Sequence, residues 1–125
     1  MITIDEMGTM LNEIAETLPP IFFRELNGGI SLLPEAKFNS YGQHQDLFIL
    51  GEYQFNRLFG RLIVIYYGSI MKVHGHLPRK QMMEKLSAIL KHEFRHHLES
   101  LAGERGLEIE DEAYIDAYLK RMTSS

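Results

Sequence analysis

The stretch KHEFRHHLES, residues 91–100, holds His92, Glu93 and His96 in the spacing HExxH. On a helix that spacing separates the two histidines by one turn, so both imidazoles leave the same face and can meet on one metal ion. Glu93 stands beside them, where a carboxylate can act as general base toward a water in the open position of a zinc ion. The pattern is short and the chain contains six His, so the surrounding residues must decide whether it lies on a helix.

Those residues favour a helix. Pro78 stands at a natural start, residues 79–101 contain neither Gly nor Pro, and Leu, Met, Ala, Lys and Glu are good helix formers. Gly103 marks the expected stop. At about 100° per residue, Met83, Leu86, Ile89, Leu90, Phe94, Leu98 and Leu101 form one apolar stripe with His92, Glu93 and His96 along its edge. The three polar residues are therefore predicted at the margin of a groove, open to substrate and partly shielded from bulk water.

His97 falls inside the stripe and points away from the pair, so it is expected to be a neutral core histidine bonded to backbone. Arg95 is expected to face solvent. Glu99 shares the ligand side, but it stands seven residues from His92, about 10.5 Å of helix axis. That is a long span to close on one ion, and Glu99 is read as a solvated or supporting carboxylate. A catalytic zinc usually takes three protein ligands, so the third should come from beyond the helix. After Gly103 and Gly106 the segment LEIEDEAY offers Glu108, Glu110, Asp111 and Glu112. Any of the four could bind. The cluster equally suits the start of a last helix over residues 112–122, with Asp111 as N-cap and the negative charge complementing the helix dipole.

A chain of 125 residues fits one domain with a modest core, and 45% hydrophobic with 24% charged residues is ordinary for a soluble protein. The opening MITIDEMGTM lacks the basic and apolar regions of a signal peptide, and no run approaches the roughly 20 apolar residues of a membrane span. A cytoplasmic location and no membrane partner are expected. Zero cysteines exclude disulfides and thiolate zinc sites, which directs a His/carboxylate site toward catalysis. A net charge of −4 with dispersed basic residues gives no electrostatic footprint for nucleic acid.

Ahead of residue 79 the pattern is α followed by β. Residues 4–18 carry Met7, Met10, Leu11, Ile14 and Leu18 at helical spacing, with Asp5 and Glu6 in the first turn and Pro19 and Pro20 as the stop. A short helical piece over residues 21–26 meets the breaker Asn27, Gly28, Gly29. Strands are predicted over residues 30–33, 47–53 and 61–67, the last two as a hairpin. The unbroken apolar run from Leu62 suggests a strand packed on both faces, and Gly51 suggests a bulge or an edge. An open edge can hold an extended peptide by backbone pairing. His74 and His76, with His44 as a distant partner, are read as surface histidines. Tyr66, Tyr67 and Tyr114 could donate to an oxyanion, although core or rim positions are commoner for tyrosine.

The order LPPIFFRELNGGISLLPEAK, LFILGEY, GRLIVIYYGSIM, KHEFRHHLESLAGERGLEIEDE resembles the small bacterial zincin-like metallopeptidases, or minimal zincins, over nearly the whole chain. IYYGSIM and HEFRHH match best. The resemblance implies a single α+β domain with an N-terminal helix, a small mixed β-sheet, a zinc-binding HExxH helix and a C-terminal helix. It implies zinc on His92 and His96, Glu93 as the base and Asp111 as the third ligand, acting on a peptide or protein substrate. The family pattern HExxHxxGxxD is not followed throughout: Glu99 stands where it has Gly, and ESLAGERG intervenes before the acidic cluster. The alternative is a non-catalytic protein-binding module that uses the sheet edge or groove and has a metal-stabilised or vestigial site.

Overall fold

Thr3 starts the first helix through a capping box: its hydroxyl accepts the Glu6 backbone N–H at 3.1 Å, and the Glu6 carboxylate accepts the Thr3 N–H at 3.4 Å. These positions come from a computed structural model, which describes residues 1–38 and 47–105. The helix, α1 (Ile4–Glu16), buries Met7, Met10, Leu11 and Ile14. Pro19 and Pro20 end the helical run, and Pro20–Phe23 makes a 3-10 turn, shorter than the piece expected over residues 21–26. Glu25 then takes a left-handed φ of 57°, which breaks the turn and sends Leu26 into the core. Gly28 passes tightly against the next hairpin, its N–H donating to the Arg61 carbonyl at 2.8 Å. A Cβ there would lie 2.7 Å from the Leu62 Cβ, so a side chain cannot fit.

The strands are β1 (Gly29–Leu33), β2 (Lys37–Phe38), β3 (Phe48–Ile49), β4 (Gly51–Asn56) and β5 (Gly60–Tyr66). β5 lies centrally in the order β1-β5-β4, parallel to β1 and antiparallel to β4, and β2 pairs with β3 separately. The fold is therefore α+β with a small mixed sheet. Ile63, Val64, Ile65 and Tyr66 are all buried, which matches a strand covered on both faces.

The predicted strand over residues 47–53 is two strands in two sheets, divided at Leu50. The strand predicted through residue 67 ends at Tyr66, where the chain turns into α2 (Tyr67–His74), a helix that the β-branched and aromatic run conceals. Gly68 allows that turn by packing its backbone on residues 34–36, with its N–H on the Glu35 carbonyl at 3.1 Å.

The long helix α3 (Arg79–Arg105) continues through Gly103 rather than stopping there. Glycine lowers helix propensity by about 1 kcal/mol without forbidding the helix. α3 crosses α1 and the sheet, burying Met82, Leu86, Leu90, Phe94, Leu98 and Leu101. Met82 takes the core position expected of Met83, which is only partly buried, and Arg95 is half-buried rather than fully solvent-facing. No helix among the described residues is long and apolar enough to cross a membrane. The predicted helix over residues 112–122 lies outside the described residues.

Candidate metal centre

Mid-way along α3, His92 and His96 turn their imidazoles toward each other, with Nε2 atoms 3.1 Å apart and ring planes at 86°. Both side chains are exposed. Two nitrogens at this separation can each reach a shared point at about 2.0–2.1 Å, the usual Zn–N bond length. A proton shared between them would fit the same distance, so the donor pair suits a metal without requiring one. No group of three His, Asp or Glu suited to a metal occurs among the described residues. Glu99, exposed on the same helix, does not complete the pair. Glu108, Glu110, Asp111 and Glu112, which include the favoured third ligand, lie outside the described residues.

Glu93 differs from His92 and His96 in being buried, at 6% exposure. Burial raises the pKa of its carboxyl above the ordinary value; His92 and His96 oppose that shift and the charge of Glu52 adds to it. A carboxylate held this way is a better proton acceptor than a solvated one.

The carboxylate and His92 open onto a groove of about 370 Å³ between α3 and the start of β4. Ala88 and Ile89 line it from the helix, and Ile49, Leu50 and Gly51 from the strands. β4 is an edge strand, and its register shows which backbone groups are free. The Tyr66 N–H donates to the Leu50 carbonyl at 3.0 Å, so Leu50 and Tyr66 form a hydrogen-bonded pair and Gly51 and Ile65 the alternate kind. Gly51 and Tyr53 consequently direct their N–H and C=O away from β5, toward an edge that no strand covers among the described residues. A Cβ on Gly51 would press within 3.1 Å of Ile65 and 3.3 Å of Ile89, so the bare backbone is what lets the strand lie close to the helix.

His97 is fully buried, as expected of a core histidine. Its Nε2–H donates to the Arg24 carbonyl at 2.7 Å, because a carbonyl can only accept. Nδ1 is left to accept from the Tyr53 hydroxyl at 2.9 Å, whose oxygen in turn accepts from Arg61 at 2.9 Å. Arg61 also donates to Ser100. This chain of bonds ties α3 to β4 and β5 directly behind the imidazole pair. Sequence reasoning missed Tyr53, Arg61 and Ser100. The signal available was an arginine opening an otherwise apolar strand.

The other candidates disperse. The Tyr66 hydroxyl donates to Glu52 at 2.6 Å, and Lys37 pairs with the same carboxylate at 2.6 Å. Strand alternation puts both Glu52 and Tyr66 on the sheet face opposite the one where Gly51 meets α3. Tyr67 donates to the Ile2 carbonyl at 2.6 Å, a packing bond. His74 is half-buried and His76 exposed, and neither joins a metal-binding group of three among the described residues. His44 and Tyr114 lie outside the described residues.

Comparison with solved structures finds a conserved hypothetical protein from T. thermophilus that is 32% identical, with a TM-score of 0.67, over 81% of this chain and 98% of that one. The chain belongs to the family of that protein. No family model and no curated protein matches it. An alignment over 81% of the chain leaves out about 24 residues, fewer than the 27 of α3, so the family likeness includes at least part of the helix that carries the pair.

Proposed function

We propose that this chain is a zinc-dependent peptidase of the minimal zincin type, with His92, His96 and Asp111 as the metal ligands. The observation that carries the proposal is the meeting of two imidazoles beside a buried carboxylate at the mouth of a groove. The sequence resemblance to minimal zincins, which extends beyond the HExxH residues to IYYGSIM, also supports it. Zinc in such a site supplies Lewis acidity, polarising a carbonyl and lowering the pKa of water. Glu93, buried beside His92 at the mouth of the groove, takes the proton of the attacking water on its carboxylate and returns it to the leaving amine. Gly51 and Tyr53 bind an extended substrate by adding it to the β4 edge. The Tyr53–His97–Arg24 bonds hold that edge and α3 at a fixed separation. A cytoplasmic location belongs to the same proposal.

A second reading is a non-catalytic module that binds a protein partner at the same edge; the observation behind it is the outward-facing backbone of Gly51 and Tyr53, which can pair with an extended segment without any chemistry. Glu93→Gln separates the two. A peptidase predicts that the variant keeps about one equivalent of zinc and its fold while cleavage of an unstructured protein falls by about 100-fold or more. Zinc analysis and a chelator-sensitive cleavage assay provide the check. Wild type that retains far less than one equivalent after dialysis against zinc, or cleaves no peptide in a broad library, favours the binding module.

A further inference from the structure

We infer that the groove beside Glu93 selects extended peptides with an uncharged aliphatic side chain opposite Gly51, and that Ala88 and Ile89 set this preference. The inference rests on the peptidase reading for its account of the site and adds the class of substrate. Ile49, Leu50, Ala88 and Ile89 line the groove and carry hydrocarbon side chains, Gly51 carries none, and the polar side chains of the lining are those of His92 and Glu93. Between Ile49 and Ile89 a charged side chain would give up part of its water to hydrocarbon walls, whereas an aliphatic one would bury apolar surface, and in Glu93→Gln no carboxylate of the groove remains to pair with a basic one. A volume of about 370 Å³ is near the lower limit for a ligand site and has room for a few side chains.

The strand edge fixes which side chain enters. A peptide paired with β4 alternates its side chains between the two faces of the sheet. The residue opposite Gly51 turns its side chain to the face on which a Gly51 Cβ would meet Ile89, the wall of the groove.

The test reads binding in Glu93→Gln loaded with zinc, so it does not depend on turnover. Blocked nine-residue peptides of Ala, Ser and Gly with a single central Leu, Lys or Glu are titrated by fluorescence anisotropy. The Leu peptide should bind about 10-fold or more tighter than either charged one. Ala88 is exposed on α3, so Ala88→Glu in the same background can be introduced without disturbing the core, and circular dichroism verifies the fold. That substitution should shift the Lys-to-Leu affinity ratio by about 10-fold in favour of Lys, a gain that mere damage to the site would not produce. Equal affinities for the three peptides, no binding at millimolar peptide, or an unmoved ratio in Ala88→Glu overturns the inference. If Glu93→Gln prefers the Leu peptide but zinc-loaded wild type does not cleave it, the peptidase reading fails and the preference stands. Cleavage without the preference gives the converse.

Discussion

Glu93 and His97 stand four positions apart on one helix, both buried, and their surroundings push them in opposite directions on the pH scale. Burial raises the carboxyl of Glu93, and burial lowers the imidazole of His97, with the Arg24 carbonyl opposing and Arg61 reinforcing that depression. The His97 shift has a consequence for stability. Its folded-state pKa lies below the ordinary value of 6.5, so the unfolded chain takes up the proton first as the pH falls. Its stabilisation is complete above pH 6.5 and is lost as the pH drops from there toward the folded-state value. Thermal melts should therefore show a Tm that falls between pH 7.5 and 5.5, and His97→Gln, which cannot titrate, should flatten that dependence; an equal slope in both proteins would show that His97 is not the group responsible. The placement of His92, Glu93 and His97 was legible because one helix carries all three and angular position alone sorts them. Tyr53 and Arg61 were not, because their meeting with His97 depends on which face of the hairpin packs on α3, and that is settled by tertiary contact.

The decisive contact between elements is α3 against β4, and Gly51 sets its spacing. Gly51→Ala would place a Cβ within 3.1–3.3 Å of Ile65, Ile89 and the Val64 carbonyl. The helix or the strand must then shift, at a cost of about 1–3 kcal/mol. We expect a measurable loss in chemical denaturation together with weaker peptide binding; unchanged values of both would mean that the groove does not depend on this approach. Helices α1 and α3 were readable from periodicity, since each buries a face along its length, and the central strand from its unbroken apolar run, since it is covered on both faces. The short pieces were not. Two-residue β2 and β3 carry no period of their own, and Leu50 gives no sign that the chain leaves one sheet for another there. The run ending in Tyr66 and Tyr67 looks uniformly like strand, yet Gly68 packing on residues 34–36 converts its end into α2.

For the molecule as a whole, a bound ion adds to the stability of the fold in proportion to how tightly it is held. Zinc at about 100 times its Kd contributes about 2.7 kcal/mol, enough to raise Tm by roughly 10 °C in a domain of this size. Differential scanning calorimetry with and without zinc should show that rise in wild type, none in His92→Ala or His96→Ala, and a reduced one in Asp111→Ala. A full rise in Asp111→Ala would move the third ligand to another carboxylate. The mixed sheet also dictates an order in time. Asn56 pairs with Gly60 only four positions away, whereas Gly29 pairs with Leu62 across 33. Closing the longer loop costs more chain entropy before any contact rewards it, so β4 and β5 should zip first and β1 dock late. In stopped-flow chevrons Ile30→Val should then mainly speed unfolding, and a slowed folding arm would reverse the order. On this sequence of events the open edge exists as soon as the hairpin forms, whereas α3 must reach it across a span longer still than that of β1, since Gly51 and Ile89 lie 38 positions apart, so His92, Glu93 and His96 arrive beside the edge only late in folding.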